Sequence, residues 1–190
     1  MEAFLVSTGV VALGEMGDKT QLLAIVLAAA FRKPLPIIAG IFVATIVNHG
    51  AAGAVGGWVA NLLGPDILRW VIGLSFLLMA GWMLIPDKLD DEKVDNRSHL
   101  GVFGTTVVAF FMAEMGDKTQ IATVALAARY ADVVQVVLGT TLGMMISNVP
   151  AVLLGEKVAS KVSMNAVHAV AAAIFAVLGV LTLLNVGRLF

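Results

Sequence analysis

The chain has 190 residues, a formal net charge of −1, 59% hydrophobic residues and 13% charged residues. A soluble domain carries about 25% charged residues, so this chain is too poor in charge to cover a water-soluble globule, and a soluble enzyme is all but excluded. The lack of a basic excess excludes nucleic-acid binding, and the absence of cysteine removes disulfides, thiolate metal ligands and cysteine nucleophiles together.

In chain order, the first apolar stretch spans 3–31. Acidic Glu2 precedes it and no basic region does, so it reads as a retained first span rather than a cleaved leader. Further apolar stretches follow at 35–63, 67–85, 100–128, 133–155 and 164–187. Each reaches the roughly 20 residues that a helix needs to cross a bilayer. The pattern predicts an all-α integral membrane protein with six transmembrane helices in a single membrane domain over 1–190. Breaks fall at 32–34, 64–66, 129–132 and 156–161, and the one long polar stretch, 86–99, reads as a solvated linker.

The chain repeats itself. Glu15-Met16-Gly17-Asp18-Lys19-Thr20-Gln21 recurs without change as Glu114-Met115-Gly116-Asp117-Lys118-Thr119-Gln120, at an offset of 99 residues. At the same offset Gly40 matches Gly139, Gly56 matches Gly155 and Ala60 matches Ala159. The halves are therefore 1–86 and 100–190, three spans each, joined by a linker at 87–99. Three is odd, so the second half enters the membrane from the opposite side. This is an inverted-topology repeat of the kind found in secondary transporters. With the two motif lysines set aside, Arg32, Lys33, Lys88, Lys93, Arg97, Lys157 and Lys161 fall on one side, and Arg69, Arg129 and Arg188 on the other. That bias places the linker in the cytoplasm and both termini outside.

Both motifs lie inside apolar runs, where each Asp or Lys costs about 2.5–3.5 kcal/mol. In a continuous helix Glu15 and Asp18 share a face, as do Glu114 and Asp117. Inversion symmetry brings the two motif helices together, so four carboxylates converge near the midplane. Gly17 and Gly116 permit close helix approach, or a local break that frees backbone carbonyls. Oxygen ligands suit hard cations such as Ca²⁺, Mn²⁺ and Mg²⁺. With Lys19 and Lys118 counted, one divalent cation or two protons neutralise the cluster, which suggests exchange of metal for protons. The bland alternative is a pair of ordinary i,i+4 ion pairs, Glu15–Lys19 and Glu114–Lys118. It leaves Asp18 and Asp117 unexplained.

Further ligands or orienting groups are Gln21, Gln120, Thr20 and Thr119. Asn48 and His49 match Ser147 and Asn148 at the repeat offset. Asn48 and Asn148 are ligands or interhelical hydrogen-bonding groups; Thr20 and Thr119 are equally able to bond back to their own helix. His168, with no acidic neighbour in sequence, reads as packed or interfacial.

Two copies of Glu-x-Gly-Asp-Lys-Thr in two three-helix halves resemble the GDT family (transmembrane protein 165-like) in its compact bacterial form, over essentially the whole chain. The resemblance implies a secondary transporter of Mn²⁺ and Ca²⁺, in exchange for H⁺, related to the cation/Ca²⁺ exchanger superfamily. It also implies that Glu15, Asp18, Glu114 and Asp117 are the ion-binding acids. The preference for manganese comes from the resemblance alone. The expectation is an inner-membrane antiporter that exports Mn²⁺, with Ca²⁺ also open, needs no resident cofactor, and has metal ion, protons and lipid as partners. Whether it forms a homo-oligomer stays open. Competing readings are a channel-like divalent-cation pore without proton coupling, an intramembrane aspartyl protease, and a structural subunit. The protease fits poorly, since glutamate stands at the first motif position and the two copies are identical.

Overall fold

The computed structural model describes residues 1–85, 100–154 and 164–185. The linker 87–99, Gly155, Ala159, Lys157, Lys161 and Arg188 lie outside the described residues. Among those described are eight helices and no strand: α1 (Glu2–Glu15), α2 (Lys19–Phe31), α3 (Pro34–Leu62), α4 (Pro65–Trp82), α5 (Gly101–Glu114), α6 (Lys118–Tyr130), α7 (Val133–Leu154) and α8 (Met164–Leu183).

The helix ends follow from local chemistry. Proline opens α3 and α4, at positions where a missing N–H costs nothing. Asp132 starts α7 by accepting the Gln135 N–H at 3.0 Å. α2 and α6 end on left-handed residues, Arg32 and Ala131, whose N–H groups return to the Ala28 and Ala127 carbonyls. These two caps are 99 residues apart, like the motifs. Helices α3, α4, α7 and α8 are long and apolar enough to cross a membrane.

The expected continuous spans 3–31 and 100–128 are each broken inside the motif. Met16 is extended (φ −66°, ψ 118°), Gly17 has φ +80°, and Asp18 is extended (φ −82°, ψ 170°). Met115, Gly116 and Asp117 repeat this at −64°/120°, +75° and −78°/167°. Side chains other than glycine resist positive φ, so Gly17 and Gly116 are where the chain can turn. Consequently Glu15 and Asp18 do not share a helical face. Glu15 ends α1 and Asp18 caps α2, and likewise Glu114 ends α5 and Asp117 caps α6.

The broken helices pack across the molecule. α1 lies on α7 as α5 lies on α3; α2 also touches α7 and α6 touches α3; the long pair α3 and α7 meet, and α4 meets α8. Glycines set the closest approaches. A Cβ on Gly40 would stand 2.7 Å from Thr106, and one on Gly139 would stand 2.5 Å from the Phe4 carbonyl. Small residues at such crossings let backbones touch, which is how helices associate without a hydrophobic driving force between them. Phe76 of α4 and Phe175 of α8 are fully buried with ring centroids 6.0 Å apart. Large apolar side chains such as Trp58, Trp70 and Leu78 cover the outside, which suits a lipid-facing exterior.

Arg129 departs from its expected place in a loop. It lies in the last turn of α6, only 5% exposed, and donates to the Thr182 hydroxyl and to the Leu178 carbonyl on α8.

Candidate metal centre

The two breaks face each other, and the acids at them are all buried: Glu15, Asp18, Glu114 and Asp117. One carboxylate oxygen each from Glu15, Glu114 and Asp117 lie within 4.8 Å of one another. Asp18 is near enough to act electrostatically on Lys19 and Glu114. Helix geometry explains the convergence. Each Glu sits where a helix ends, and each Asp sits at a helix N-terminus, whose partial positive charge favours a carboxylate. The break between them lets both acids turn inward from one motif.

The motif threonines orient the glutamates. Thr20 Oγ1 donates to Glu15 Oε2 at 2.5 Å, and Thr119 Oγ1 donates to Glu114 Oε2 at 3.0 Å. This fixes one oxygen of each carboxylate. The other oxygens, Glu15 Oε1 and Glu114 Oε1, are buried and accept no hydrogen bond among the described residues. Asp117 Oδ1 is 3.0 Å from Lys19 Nζ, while Asp117 Oδ2 is buried and accepts no hydrogen bond among the described residues. Lys19 therefore pairs across the two halves with Asp117. The i,i+4 partnership with Glu15 is precluded as a helical pair, because the helix is interrupted between them. Lys118, 2% exposed, donates to the Ile85 carbonyl at the end of the first half at 3.4 Å.

The amides have definite partners. Gln21 and Gln120 bond to the glycine N–H of their own motif and to the opposite half. Asn48 accepts from Gln120 Nε2. Asn148 Nδ2 donates to the Met144 carbonyl at 3.1 Å, and its Oδ1 is buried without a hydrogen bond among the described residues. His49, at Asn148's equivalent position, is fully buried with both ring nitrogens in the same condition.

His168 is a contact that the sequence did not suggest. Its Nε2 lies 2.8 Å from the Met16 carbonyl, at the break of the first motif. No acid neighbours it in sequence, and residue 69, its equivalent at the repeat offset, is an arginine. Only the three-dimensional packing brings α8 to that carbonyl.

A set of buried carboxylate oxygens, with hydroxyls holding the carboxylates in place, matches the donors that hard divalent cations take. Helices of membrane-crossing length around a buried acidic centre define the class: a multi-pass membrane protein with an acidic core. The model of the family described as "Divalent cation/proton antiporter GDT1" matches residues 3–91 and 102–188. The chain belongs to this family. It is 52% identical over 183 residues to a Vibrio cholerae protein named "Putative manganese exporter", with 96% of this chain and 90% of that one covered. It is 28% identical over 200 residues to the "GDT1-like protein 4" of Oryza sativa subsp. indica, covering 92% of this chain and 70% of that one. It is 27% identical over 222 residues to the "GDT1-like protein 5" of Arabidopsis thaliana, covering 97% and 96%. No solved structure matches the chain.

Proposed function

We propose that the chain is an inner-membrane antiporter that exports Mn²⁺ from the cytoplasm in exchange for H⁺, with Ca²⁺ as a second cargo, and that it is a transporter rather than an enzyme. The observation that carries the reading is the meeting of Glu15, Glu114 and Asp117 oxygens from both halves within 4.8 Å, deep in the protein. Glu15, Asp18, Glu114 and Asp117 are the cargo ligands in this reading; Thr20 and Thr119 orient the glutamates, and Lys19 limits the negative charge. Family membership supports the proton coupling, and the name of the Vibrio cholerae relative supports the manganese preference.

The architecture in this reading has six spans in two inverted halves, 1–86 and 100–190, about a cytoplasmic linker at 87–99. α1 with α2 forms one crossing, and α5 with α6 another. Helices of 14 and 13 residues are each about 20 Å long, too short alone for the roughly 30 Å hydrocarbon core and ample together. A break near mid-membrane is tolerated where it lines a site inside the protein.

A carboxylate must lose its proton to bind metal, so protons and cargo compete for the same oxygens. Mn²⁺ affinity should fall as pH falls, and binding should release protons. The test is flux in proteoliposomes: an imposed proton gradient should drive Mn²⁺ against its own gradient, and Mn²⁺ movement should carry protons the other way. Mn²⁺ flux indifferent to a proton gradient would favour a channel-like pore instead.

A further inference from the structure

Gln21 and Gln120 close the two motif copies, and each side-chain amide is engaged at both ends. Gln21 Oε1 accepts from the Gly17 N–H at 2.9 Å, and Gln120 Oε1 accepts from the Gly116 N–H at 2.7 Å. These are the glycines whose positive φ makes the break. A backbone N–H past a helix end lacks an intrahelical acceptor, and in a membrane interior an unmet one is costly. The other end of each amide crosses to the opposite half. Gln21 Nε2 donates to the Ser147 carbonyl on α7 at 3.0 Å and faces its hydroxyl at 3.4 Å. Gln120 Nε2 donates to Asn48 Oδ1 on α3. Asn48 and Ser147 are themselves 99 residues apart, so each motif is tied to the equivalent position of the opposite long helix, Gln21 to the Ser147 main chain and Gln120 to the Asn48 side chain.

We propose that Gln21 and Gln120 are positioning residues that couple each motif break to the long helix of the opposite half, rather than cargo ligands. Their carbonyl oxygens face glycine N–H groups. Any shift of α7 against α2, or of α3 against α6, must either break the link or move the glycine turn, and with it the flanking Glu and Asp. The link thus transmits relative motion of the halves to the carboxylates. This inference rests on the antiport reading above.

The experiment separates rate from affinity. Gln21→Met and Gln120→Met keep a long unbranched side chain and remove both bonds. Mn²⁺ binding is measured by calorimetry on the purified variants, and proton-driven Mn²⁺ flux is measured in proteoliposomes. With the bond to the motif glycine and the bond to the opposite half both lost, the maximal flux should fall about tenfold while the Mn²⁺ dissociation constant stays within about twofold of wild type. Asn48→Leu, which leaves the motif untouched, should slow flux as Gln120→Met does, and the double variant should be no slower than the slower single one. Asn48→Ser, which keeps a side-chain oxygen at this position, should recover part of the flux lost in Asn48→Leu. An affinity loss of tenfold or more with maximal flux preserved makes the glutamines ligands and overturns the inference. Unchanged flux, or additive effects in the double variant, also overturns it. If Gln120→Met does not insert, Asn48→Leu and Asn48→Ser decide by themselves. Absence of any wild-type Mn²⁺ flux overturns the antiport reading as well, whereas wild-type flux with unaffected variants overturns this inference alone.

Discussion

Three features meet at Asp117: it stands at the N-terminus of α6, it pairs with Lys19 of the other half at 3.0 Å, and it contributes to the acidic cluster. Asp117→Asn keeps volume and removes the charge. Mn²⁺ binding and transport should both be lost, and Lys19 should be left without its paired carboxylate. Removing one member of a buried pair costs about 3–5 kcal/mol. Lys19 is 27% exposed, so the thermal stability loss should fall well below that. Adding Lys19→Met should recover the stability of Asp117→Asn without recovering transport; recovered transport would mean that the acid serves only the ion pair. The threonines allow a gentler probe. Thr119→Val preserves shape and frees Glu114 Oε2 from its donor. Loss of a hydrogen bond that orients a ligand typically weakens metal binding about 10- to 100-fold, and Mn²⁺ calorimetry should show a change of that order. An unchanged dissociation constant would place Glu114 outside the site.

At the scale of the element, the broken helix is the feature that hydropathy conceals. Apolar residues flank both motifs, so 3–31 and 100–128 read as unbroken spans, and a glycine alone does not announce a positive φ. The identical motifs, the equivalence of Gly40 with Gly139 and the buried acids were all legible, because they are properties of residue type and spacing. The exchange of partners between halves was not. It depends on how α2 meets α7 and α6 meets α3, so Lys19 finds Asp117 rather than Glu15, and His168 finds the Met16 carbonyl. Gly116 gives a clean test of the break. A Cβ there would meet nothing within 4 Å, so Gly116→Ala carries only the conformational cost of positive φ, about 1–2 kcal/mol. Thermal unfolding in detergent should show a loss of that size. Gly139→Ala lies in ordinary helical backbone but drives a Cβ to 2.5 Å from the Phe4 carbonyl. It should also destabilise, by separating α1 from α7. If Gly116→Ala were neutral and Gly139→Ala were not, the turn would be free to adopt another conformation.

At the scale of the molecule, the proposal stands on the halves facing opposite ways. Several features recur 99 residues apart: the glutamine bridges and the Gly40 and Gly139 crossings between the halves, and within each half the left-handed caps at Arg32 and Ala131. Orientation rests on loop charge. Arg129 proves to be buried and hydrogen-bonded to α8, so it is held by protein partners and should not be counted as a loop charge. Only Arg69 and Arg188 then remain against seven basic residues on the linker side. The bias is thereby sharper than the sequence alone gave. Lys33 and Ala131 lie in equivalent loops, after α2 and after α6. In an inverted repeat they must open to opposite sides, with Lys33 in the cytoplasm. The chain has no cysteine, so single substitutions Lys33→Cys and Ala131→Cys can be labelled without background. A membrane-impermeant maleimide applied to intact cells should label Ala131→Cys and spare Lys33→Cys, and inside-out vesicles should reverse the result. Labelling of both positions from one side would make the repeat parallel. A parallel repeat would remove the two-fold axis in the membrane plane by which the two motif copies exchange places between the two faces of the membrane.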